Sequence, residues 1–216
     1  MAAAYDLYVI TDEALSRGLT HAEIARRAVA GGADVIQLRD KRMGGEELLR
    51  CALEIRAITK KAGVLFIVND RLDIAIASLA DGVHLGQDDL PAKLARPLMP
   101  AGFIIGISAG NLEEAVQAEK DGADYIGLGP ICHTDSKKDA GIACGFDMIA
   151  RVKKHVSIPV VAIGGIGPGN VKAAIDAGAD GLAVISAVVG QDDVTRAARQ
   201  LKALIEEAKC QKVYEG

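Results

Sequence analysis

The amino-acid sequence predicts an α/β protein that folds as a single-domain (β/α)8 TIM barrel. Eight short runs rich in Val, Ile and Leu alternate with eight segments of helical periodicity. The runs are apolar almost throughout, as parallel strands covered on both faces must be. A glycine-rich stretch at residues 164–169 follows the seventh run, where such a barrel commonly builds a phosphate site. The first run is followed by Thr11-Asp12-Glu13 and lacks the glycine fingerprint of an open dinucleotide-binding sheet, so the sheet is expected to close.

The elements follow one another without a linker, so residues 1–216 are predicted to form one domain with a loosely held tail at 209–216. The β-branched runs, bounded by Gly, Asp or Pro, predict strands at 5–10, 35–38, 64–68, 82–85, 104–107, 125–128, 159–163 and 181–185. The Ala-, Glu- and Lys-rich segments between them predict helices at 20–30, 46–61, 72–79, 90–98, 111–120, 146–154, 170–177 and 194–209.

Three short repeats mark the joints between helix and strand. Gly-Ala-Asp occurs at residues 32–34, 122–124 and 178–180, each time closing a predicted helix and opening a strand. Glycine suits this place because it adopts the left-handed conformation that ends a helix.

Composition narrows the class of protein. Half of the 216 residues are hydrophobic, which is enough for a buried core and excludes a disordered chain. The net charge of −4 is too balanced for a protein whose main partner is nucleic acid or an anionic membrane, so small-molecule partners are predicted. No apolar run approaches the ~20 residues of a membrane helix, the chain start is not basic, and the cysteines form no C-x-x-C pair. These features predict a cytoplasmic protein, and they leave the oligomeric state open, including a homo-oligomer.

Polar residues follow the predicted strands at their carboxyl ends, where the reacting groups of a barrel gather. After the second strand, Gln37, Arg39 and Lys41 alternate along the chain, so an extended backbone points all three the same way. Two cations at this spacing match the charge of a diphosphate. The alternative is a solvated Arg/Asp/Lys cluster in a surface loop.

Two aspartates predict a magnesium site beside these cations. Asp70 and Asp89 follow neighbouring strands, and Mg²⁺ prefers a few carboxylates, water and substrate phosphate oxygens. The alternative is that Asp70 caps the helix that starts near Leu72, and that Asp88 or Asp89 caps the next one.

A second anion site is predicted across the barrel. Gly164 and Gly165 let a phosphate approach the backbone, and Ile185 and Ser186 after the eighth strand complete the pocket. Two separate anionic ligands indicate a reaction that joins them.

Six segments in chain order resemble the thiamine-phosphate synthase family. They are residues 37–41 (Gln-Leu-Arg-Asp-Lys), 68–71, 82–90, 106–108, 124–130 and 162–166. The resemblance runs from Tyr8 to about Ala187 and implies a Mg²⁺-dependent transferase. Such an enzyme joins 4-amino-2-methyl-5-(diphosphooxymethyl)pyrimidine to a thiazole phosphate, or to its carboxylated tautomer with loss of CO₂, and releases diphosphate and thiamine phosphate.

The resemblance also implies roles for individual residues. Arg39, Lys41 and Lys137, with Mg²⁺, stabilise the departing diphosphate while the pyrimidine methylene gains carbocation character; with Ser108 they form the catalytic set. The pyrimidine diphosphate contacts are Gln37, Arg39, Lys41, Asn69, Ser108 and Lys137. The thiazole phosphate contacts are Thr134, Ser136, Gly165, Ile185 and Ser186, with Asp135 a substrate-binding residue of the same loop, and the Mg²⁺ ligands are Asp70 and Asp89.

The chain departs from the family pattern after the fifth strand. The family commonly has Ser-x-His-Thr there, whereas this chain has Ser108-Ala109-Gly110-Asn111. Two alternatives to the synthase are a thiazole tautomerase of the same barrel and a non-catalytic phosphate-binding barrel. The tautomerase typically lacks the residues for pyrimidine diphosphate, which this chain retains.

Overall fold

The computed structural model describes residues 5–136 and 141–215 and contains one closed barrel of parallel strands. Each strand pairs with its neighbour in sequence, and the last pairs with the first, which confirms the predicted (β/α)8 barrel. The strands are β1 Leu7–Ile10, β2 Val35–Leu38, β3 Leu65–Asn69, β4 Gly82–Leu85, β5 Ile104–Ala109, β6 Tyr125–Leu128, β7 Val160–Ile163 and β8 Gly181–Val184.

The helices surround the barrel and close most βα units. They are α1 His21–Ala30, α2 Gly45–Ala62, α3 Leu72–Ala77, α4 Ala92–Ala95 with a 3₁₀ turn at Arg96–Leu98, α5 Leu112–Lys120, α6 Phe146–Lys153, α7 Val171–Asp176, α8 Ser186–Val189 and α9 Val194–Glu215. Within the described ranges, no helix combines the length and apolar character needed to cross a bilayer.

The structure differs from the sequence-based prediction in two places near the chain end. The short helix α8 starts directly after β8, at a point where the apolar sequence continues the strand pattern. Residues 209–215 of the predicted loose tail continue α9, and Gly216 lies outside the described residues. This extension is anchored by ammonium groups: Lys209 Nζ donates to Asp6 Oδ1 at 2.5 Å, and Lys212 Nζ donates to the carbonyl of Ile175 at 2.8 Å.

Tyrosine side chains fill much of the barrel interior. Tyr5, Tyr8 and Tyr125 pack there with aliphatic side chains from the strands, separately from the larger core between strands and helices. A glycine makes the room: a Cβ at Gly106 would lie 2.1 Å from the Tyr125 ring. The tyrosine hydroxyls give this otherwise apolar interior a polar route toward the carboxyl end of the strands.

Four aspartates at the amino end of the barrel lock the strands in pairs; we call them the rim aspartates. Each precedes an even-numbered strand, its amide donates to a carbonyl of the preceding strand, and its carboxylate accepts the amide of that same residue at 2.7–2.8 Å. The pairs are Asp34 with Leu7, Asp81 with Phe66, Asp124 with Ile105, and Asp180 with Val160.

A basic side chain neutralises each rim aspartate. The ion pairs are Lys202–Asp34, Arg56–Asp81, Arg96–Asp124 and Lys153–Asp180. Because each aspartate combines backbone and ionic contacts, it stabilises the pairing of two strands at the amino end of the barrel.

The Gly-Ala-Asp repeat has a fourth copy that lacks its glycine. Gly32, Gly122 and Gly178 have φ of +94°, +91° and +106°, and Leu79 takes the same place before Ala80-Asp81 with φ of +55°. A leucine in this left-handed conformation is strained by its Cβ. The repeat is therefore four-fold in backbone geometry although only three copies are visible in the sequence.

Candidate active site

A cleft with an empty volume of about 940 Å³, partly open to solvent, lies at the carboxyl end of the barrel. It collects side chains from loops on all sides of the mouth, as the sequence predicts. The predicted site residues that line it are Gln37, Arg39, Asn69, Ser108, Thr134, Ser136, Gly165, Ile185 and Ser186. The structure therefore brings most of the predicted binding residues to one cavity.

A continuous chain of hydrogen bonds, here called the floor chain, crosses the bottom of this cleft. Gln37 Nε2 donates to the Tyr8 hydroxyl at 2.7 Å, and the Tyr8 and Tyr125 hydroxyls lie 2.8 Å apart. His84 then bridges Tyr125 and Ser108, with Nδ1 and Nε2 each 2.9 Å from a hydroxyl oxygen. Two predicted pyrimidine contacts, Gln37 and Ser108, are thus connected through the barrel interior.

The floor chain has a consistent proton order. Because Gln37 donates at one end, each tyrosine can donate onward, so that His84 accepts at Nδ1 and donates from Nε2 to Ser108. Burial raises the pKa of Tyr8 and Tyr125 well above the usual range, which keeps both hydroxyls protonated. The two tyrosines therefore present neutral hydroxyls at the floor of the cleft.

Sequence reasoning missed the two tyrosines of the floor chain. A usable signal is present: Tyr8 and Tyr125 stand within strands of a chain that is only 3% aromatic. Strand glycines leave room for the side chains of the floor chain, since a Cβ at Gly127 would lie 2.8 Å from His84 Cε1. A large side chain opposed by strand glycines indicates an interior that is shaped around it.

The carboxyl groups of Asp70 and Asp89 meet at the edge of the cleft. Burial, a hydrogen bond with Asp89 and the Asp89 charge raise the pKa of Asp70 to about 6, while Lys41 and Arg39 act in the opposite direction. The two predicted metal ligands and the two predicted diphosphate cations thus lie within electrostatic reach of one another. Asp70 also has φ of +60°, a costly conformation for a residue that is not glycine.

Neither aspartate serves as the helix cap considered as an alternative. Arg71 stands at the N-cap position of α3 and Pro91 at that of α4, and neither cap residue's side chain accepts a hydrogen bond from its helix. Asp89 Oδ2 instead accepts the Gly86 amide at 2.7 Å, which holds its carboxylate within its own loop. Among the described residues, no group of three or more His, Cys, Asp or Glu side chains surrounds a potential metal position.

The opposite side of the cleft is built from glycines and hydroxyls. Gly165 has φ of +65°, and a Cβ there would lie 2.6 Å from both Cys132 Cβ and the His133 carbonyl oxygen. Ser136 Oγ donates to Ser186 Oγ at 3.1 Å, so the loop after β6 contacts the start of α8. This side therefore combines a close backbone approach with small polar groups, as a phosphate pocket requires.

Two other predicted residues, Lys41 and Asp135, do not line the cleft. Asp135 is almost fully exposed, and one of its carboxylate oxygens lies 3.4 Å from His133 Nε2. Lys41 is exposed beside Asp40, and Lys137 lies outside the described residues. Asn111, at the departure from the family pattern, caps α5 by accepting the Glu114 amide at 2.9 Å.

Comparisons with known proteins agree on one family. The family model described as thiamine monophosphate synthase matches residues 7–188. A thiamine-phosphate synthase from Methanocella arvoryzae is 66% identical over 93% of this chain and 95% of its own length. Another from Methanoculleus marisnigri is 58% identical over 96% of this chain and 98% of its own length. The structure of thiamine phosphate pyrophosphorylase from Pyrococcus furiosus superposes with a TM-score of 0.88 at 41% identity, covering 95% of this chain and 98% of that one.

Proposed function

The chain belongs to the thiamine monophosphate synthase family, and we propose that its two-sided cleft holds a pyrimidine diphosphate and a thiazole phosphate for condensation into thiamine phosphate. The family membership makes the protein a transferase, with small molecules as substrates. The single observation that carries the proposed arrangement is the position of the Asp70–Asp89 pair beside Arg39 and Lys41, across the cleft from Gly165. The curated relatives are named synthases, which favours this activity over the tautomerase and the non-catalytic barrel.

The carboxylate pair fits a divalent cation. Burial and the neighbouring Asp89 raise the pKa of Asp70 to about 6. A shared positive ion would relieve the repulsion between the two carboxylates. Two protein ligands suit Mg²⁺, which completes its shell with water and substrate phosphate oxygens. We propose that Asp70 and Asp89 hold it, and that, when bound, it supplies Lewis-acid charge to the diphosphate.

The basic residues of the mouth then act on the leaving group. The Arg39 guanidinium offers paired N–H donors to phosphate oxygens, and the ammonium groups of Lys41 and Lys137 add positive charge. As these groups stabilise the departing diphosphate, the C–O bond to the pyrimidine methylene breaks, and the methylene carbon accepts the lone pair of the thiazole nitrogen. No base is needed at that nitrogen, since it carries no proton to remove.

The floor chain and the glycine side would set the geometry of this attack. Gln37, Asn69 and Ser108 offer hydrogen bonds to the pyrimidine, and the floor chain fixes two of these three side chains before the substrate arrives. Gly165, Ile185 and Ser186, with Thr134, Asp135 and Ser136, would receive the thiazole phosphate. Holding both substrates in one orientation makes the joining step effectively unimolecular.

An assay with both substrates tests the proposal. The purified protein is incubated with the pyrimidine diphosphate, the thiazole phosphate and Mg²⁺, and diphosphate and thiamine phosphate are measured together. We expect equal amounts of both products, and none after chelation of the metal. Conversion of the carboxylated thiazole phosphate to its tautomer, without consumption of pyrimidine, would contradict the proposal. The cytoplasmic location stays a prediction, to be checked by fractionation of native cells.

A further inference from the structure

A buried histidine lies behind the loop that carries Arg39 and Lys41. His21 is the first residue of α1, and its side chain has no exposed surface. Both ring nitrogens nevertheless face oxygen atoms: Nδ1 lies 2.7 Å from Thr11 Oγ1, and Nε2 lies 3.3 Å from Asp40 Oδ2. A fully buried imidazole with both nitrogens matched to partners has an arrangement fixed by its surroundings.

His21 connects Thr11 with Asp40. A carboxylate oxygen can only accept, so His21 Nε2–H donates to Asp40 Oδ2. The Arg39 amide donates to Thr11 Oγ1 at 3.4 Å. The Thr11 amide also donates to the Gln37 carbonyl at 2.9 Å, which ties the same residue to β2.

Asp40 transmits this contact to the rest of the loop. Its second carboxylate oxygen, Oδ1, accepts the amides of Arg42 and Met43 at 2.6 and 2.8 Å. The side chain is 7% exposed although its neighbour Lys41 is exposed. The surface-cluster alternative therefore does not describe Asp40, which faces inward and closes the loop on itself.

Hydrogen bonds that start at the buried His21 ring thus hold the loop at two points. One arm runs from His21 through Thr11 to the Arg39 amide, and the other runs from His21 through Asp40 to the amides of Arg42 and Met43. Arg39 and Lys41 flank the gripped aspartate. We propose that His21, acting through Thr11 and Asp40, is a positioning residue that aims Arg39 and Lys41 at the diphosphate of the substrate, an inference that rests on the proposed function.

Binding of two probes separates this role from a general contribution to folding. Calorimetry measures the affinity for inorganic diphosphate with Mg²⁺, and separately the affinity for thiazole phosphate. Thr11→Val keeps the side-chain shape but removes the hydroxyl, and His21→Leu removes both ring contacts. We expect both variants to bind magnesium diphosphate about tenfold more weakly or worse, because each loses hydrogen bonds that position charged side chains. Thiazole phosphate affinity is expected to stay within about twofold, since its pocket lies across the cleft.

Two matched variants sharpen the test. Thr11→Ser restores the hydroxyl and is expected to bind magnesium diphosphate like the unaltered protein. His155→Gln removes an exposed imidazole whose Nδ1 lies 2.8 Å from the Arg151 carbonyl oxygen, and it should change neither affinity. Thermal unfolding of each variant shows that the fold is kept.

The outcomes distinguish the inference from its premise. Unchanged diphosphate affinity in Thr11→Val and His21→Leu overturns the positioning role, and so does an equal loss of both ligands or a loss in Thr11→Ser. Failure of the unaltered protein to bind magnesium diphosphate at all would instead overturn the proposed function.

Discussion

The carboxyl group of Asp70 lies within hydrogen-bonding reach of that of Asp89, although the two residues are 19 positions apart and leave the barrel from different strands. Like charges so close are costly unless a proton or a cation lies between them. Arg39 and Lys41 offset part of this cost, and they lower the pKa of Asp70 less than burial and Asp89 raise it. A shared divalent cation, as proposed above, would relieve the remaining repulsion between the two carboxylates.

Replacing either carboxylate should impair magnesium use. Asp70→Asn and Asp89→Asn keep the side-chain size but remove a charge from the pair. We expect transferase activity to fall about 100-fold, corresponding to ~2.7 kcal/mol, with saturation only at higher Mg²⁺ concentration. The measurement is the initial rate of diphosphate release as a function of Mg²⁺. Asp88→Asn is the matched control, because Asp88 is exposed and adjacent to Asp89; an equal effect there would refute the assignment of the pair.

The same pair should affect stability in a pH-dependent way. The pKa of Asp70 is about 6 in the folded chain and near 3.8 when unperturbed, so between these values the folded state binds more protons than the unfolded state. Its contribution therefore destabilises the metal-free protein increasingly as pH rises through this window. Asp70→Asn removes the effect and should raise the free energy of unfolding at pH 7.5 by about 1 kcal/mol, after discounting for half exposure.

Urea unfolding at pH 4.5 and at pH 7.5 measures this difference. The gain from Asp70→Asn should be small at the lower pH and larger at the higher one. Asp135→Asn, at an almost fully exposed site, is the control substitution. A gain that is equal at both pH values would mean that the Asp70 charge is not the cause.

The two sides of the cleft should respond to different substitutions. Arg39→Ala is expected to weaken pyrimidine diphosphate binding about tenfold or more and to leave thiazole phosphate binding largely intact. Gly165→Val should do the reverse, because its Cβ would collide with Cys132 and the His133 carbonyl and displace the glycine loop. Separate calorimetric titrations with each substrate measure both effects. Gly169→Ala is the control, since a Cβ there has nothing within 4 Å; equal loss of both ligands in Arg39→Ala would contradict the division of the cleft.

The fourth copy of the Gly-Ala-Asp repeat, with Leu79 in place of glycine, offers a stabilising substitution. Leu79 is 74% exposed with φ of +55°, so its side chain contributes little packing while its backbone is in a region that favours glycine. Leu79→Gly should raise the free energy of unfolding by ~0.5–1 kcal/mol, the relieved strain less the entropy that glycine gains in the unfolded chain. Leu79→Ala keeps the strain and should show no gain in urea unfolding. A gain in the alanine variant would assign the effect to the exposed apolar surface instead.

The sequence predicts the barrel well because its signals are local. Each signal depends on a few adjacent residues: the apolar runs, the helical periodicity and the Gly-Ala-Asp repeats. The strand order of a (β/α)8 barrel also follows the chain. Nine of the predicted site residues also line one cleft, since the carboxyl ends of parallel strands lie on one rim. The roles assigned to the individual side chains stay predictions.

The features that sequence reasoning missed depend on contacts between distant segments. The Tyr8–Tyr125 contact joins residues 117 positions apart, and its meaning appears only when both rings are inside one barrel. From the sequence, Asp40 fits the surface-cluster alternative, because its buried partner His21 lies far from it in the chain, at the start of α1. The anchored end of α9 depends on Asp6 at the opposite end of the chain.

The rim aspartates divide the barrel into quarters, each made of an odd strand, its helix and the even strand that follows. Each aspartate fastens the two strands of its own quarter through backbone contacts. Its basic partner comes from a helical segment that lies between quarters. A chain reopened between two quarters, as in a circular permutant that starts just before β3, β5 or β7, would retain these backbone contacts in all four quarters. The architecture is thus modular at one end, and the loops at the other end are free to diversify without loosening the strands beneath them.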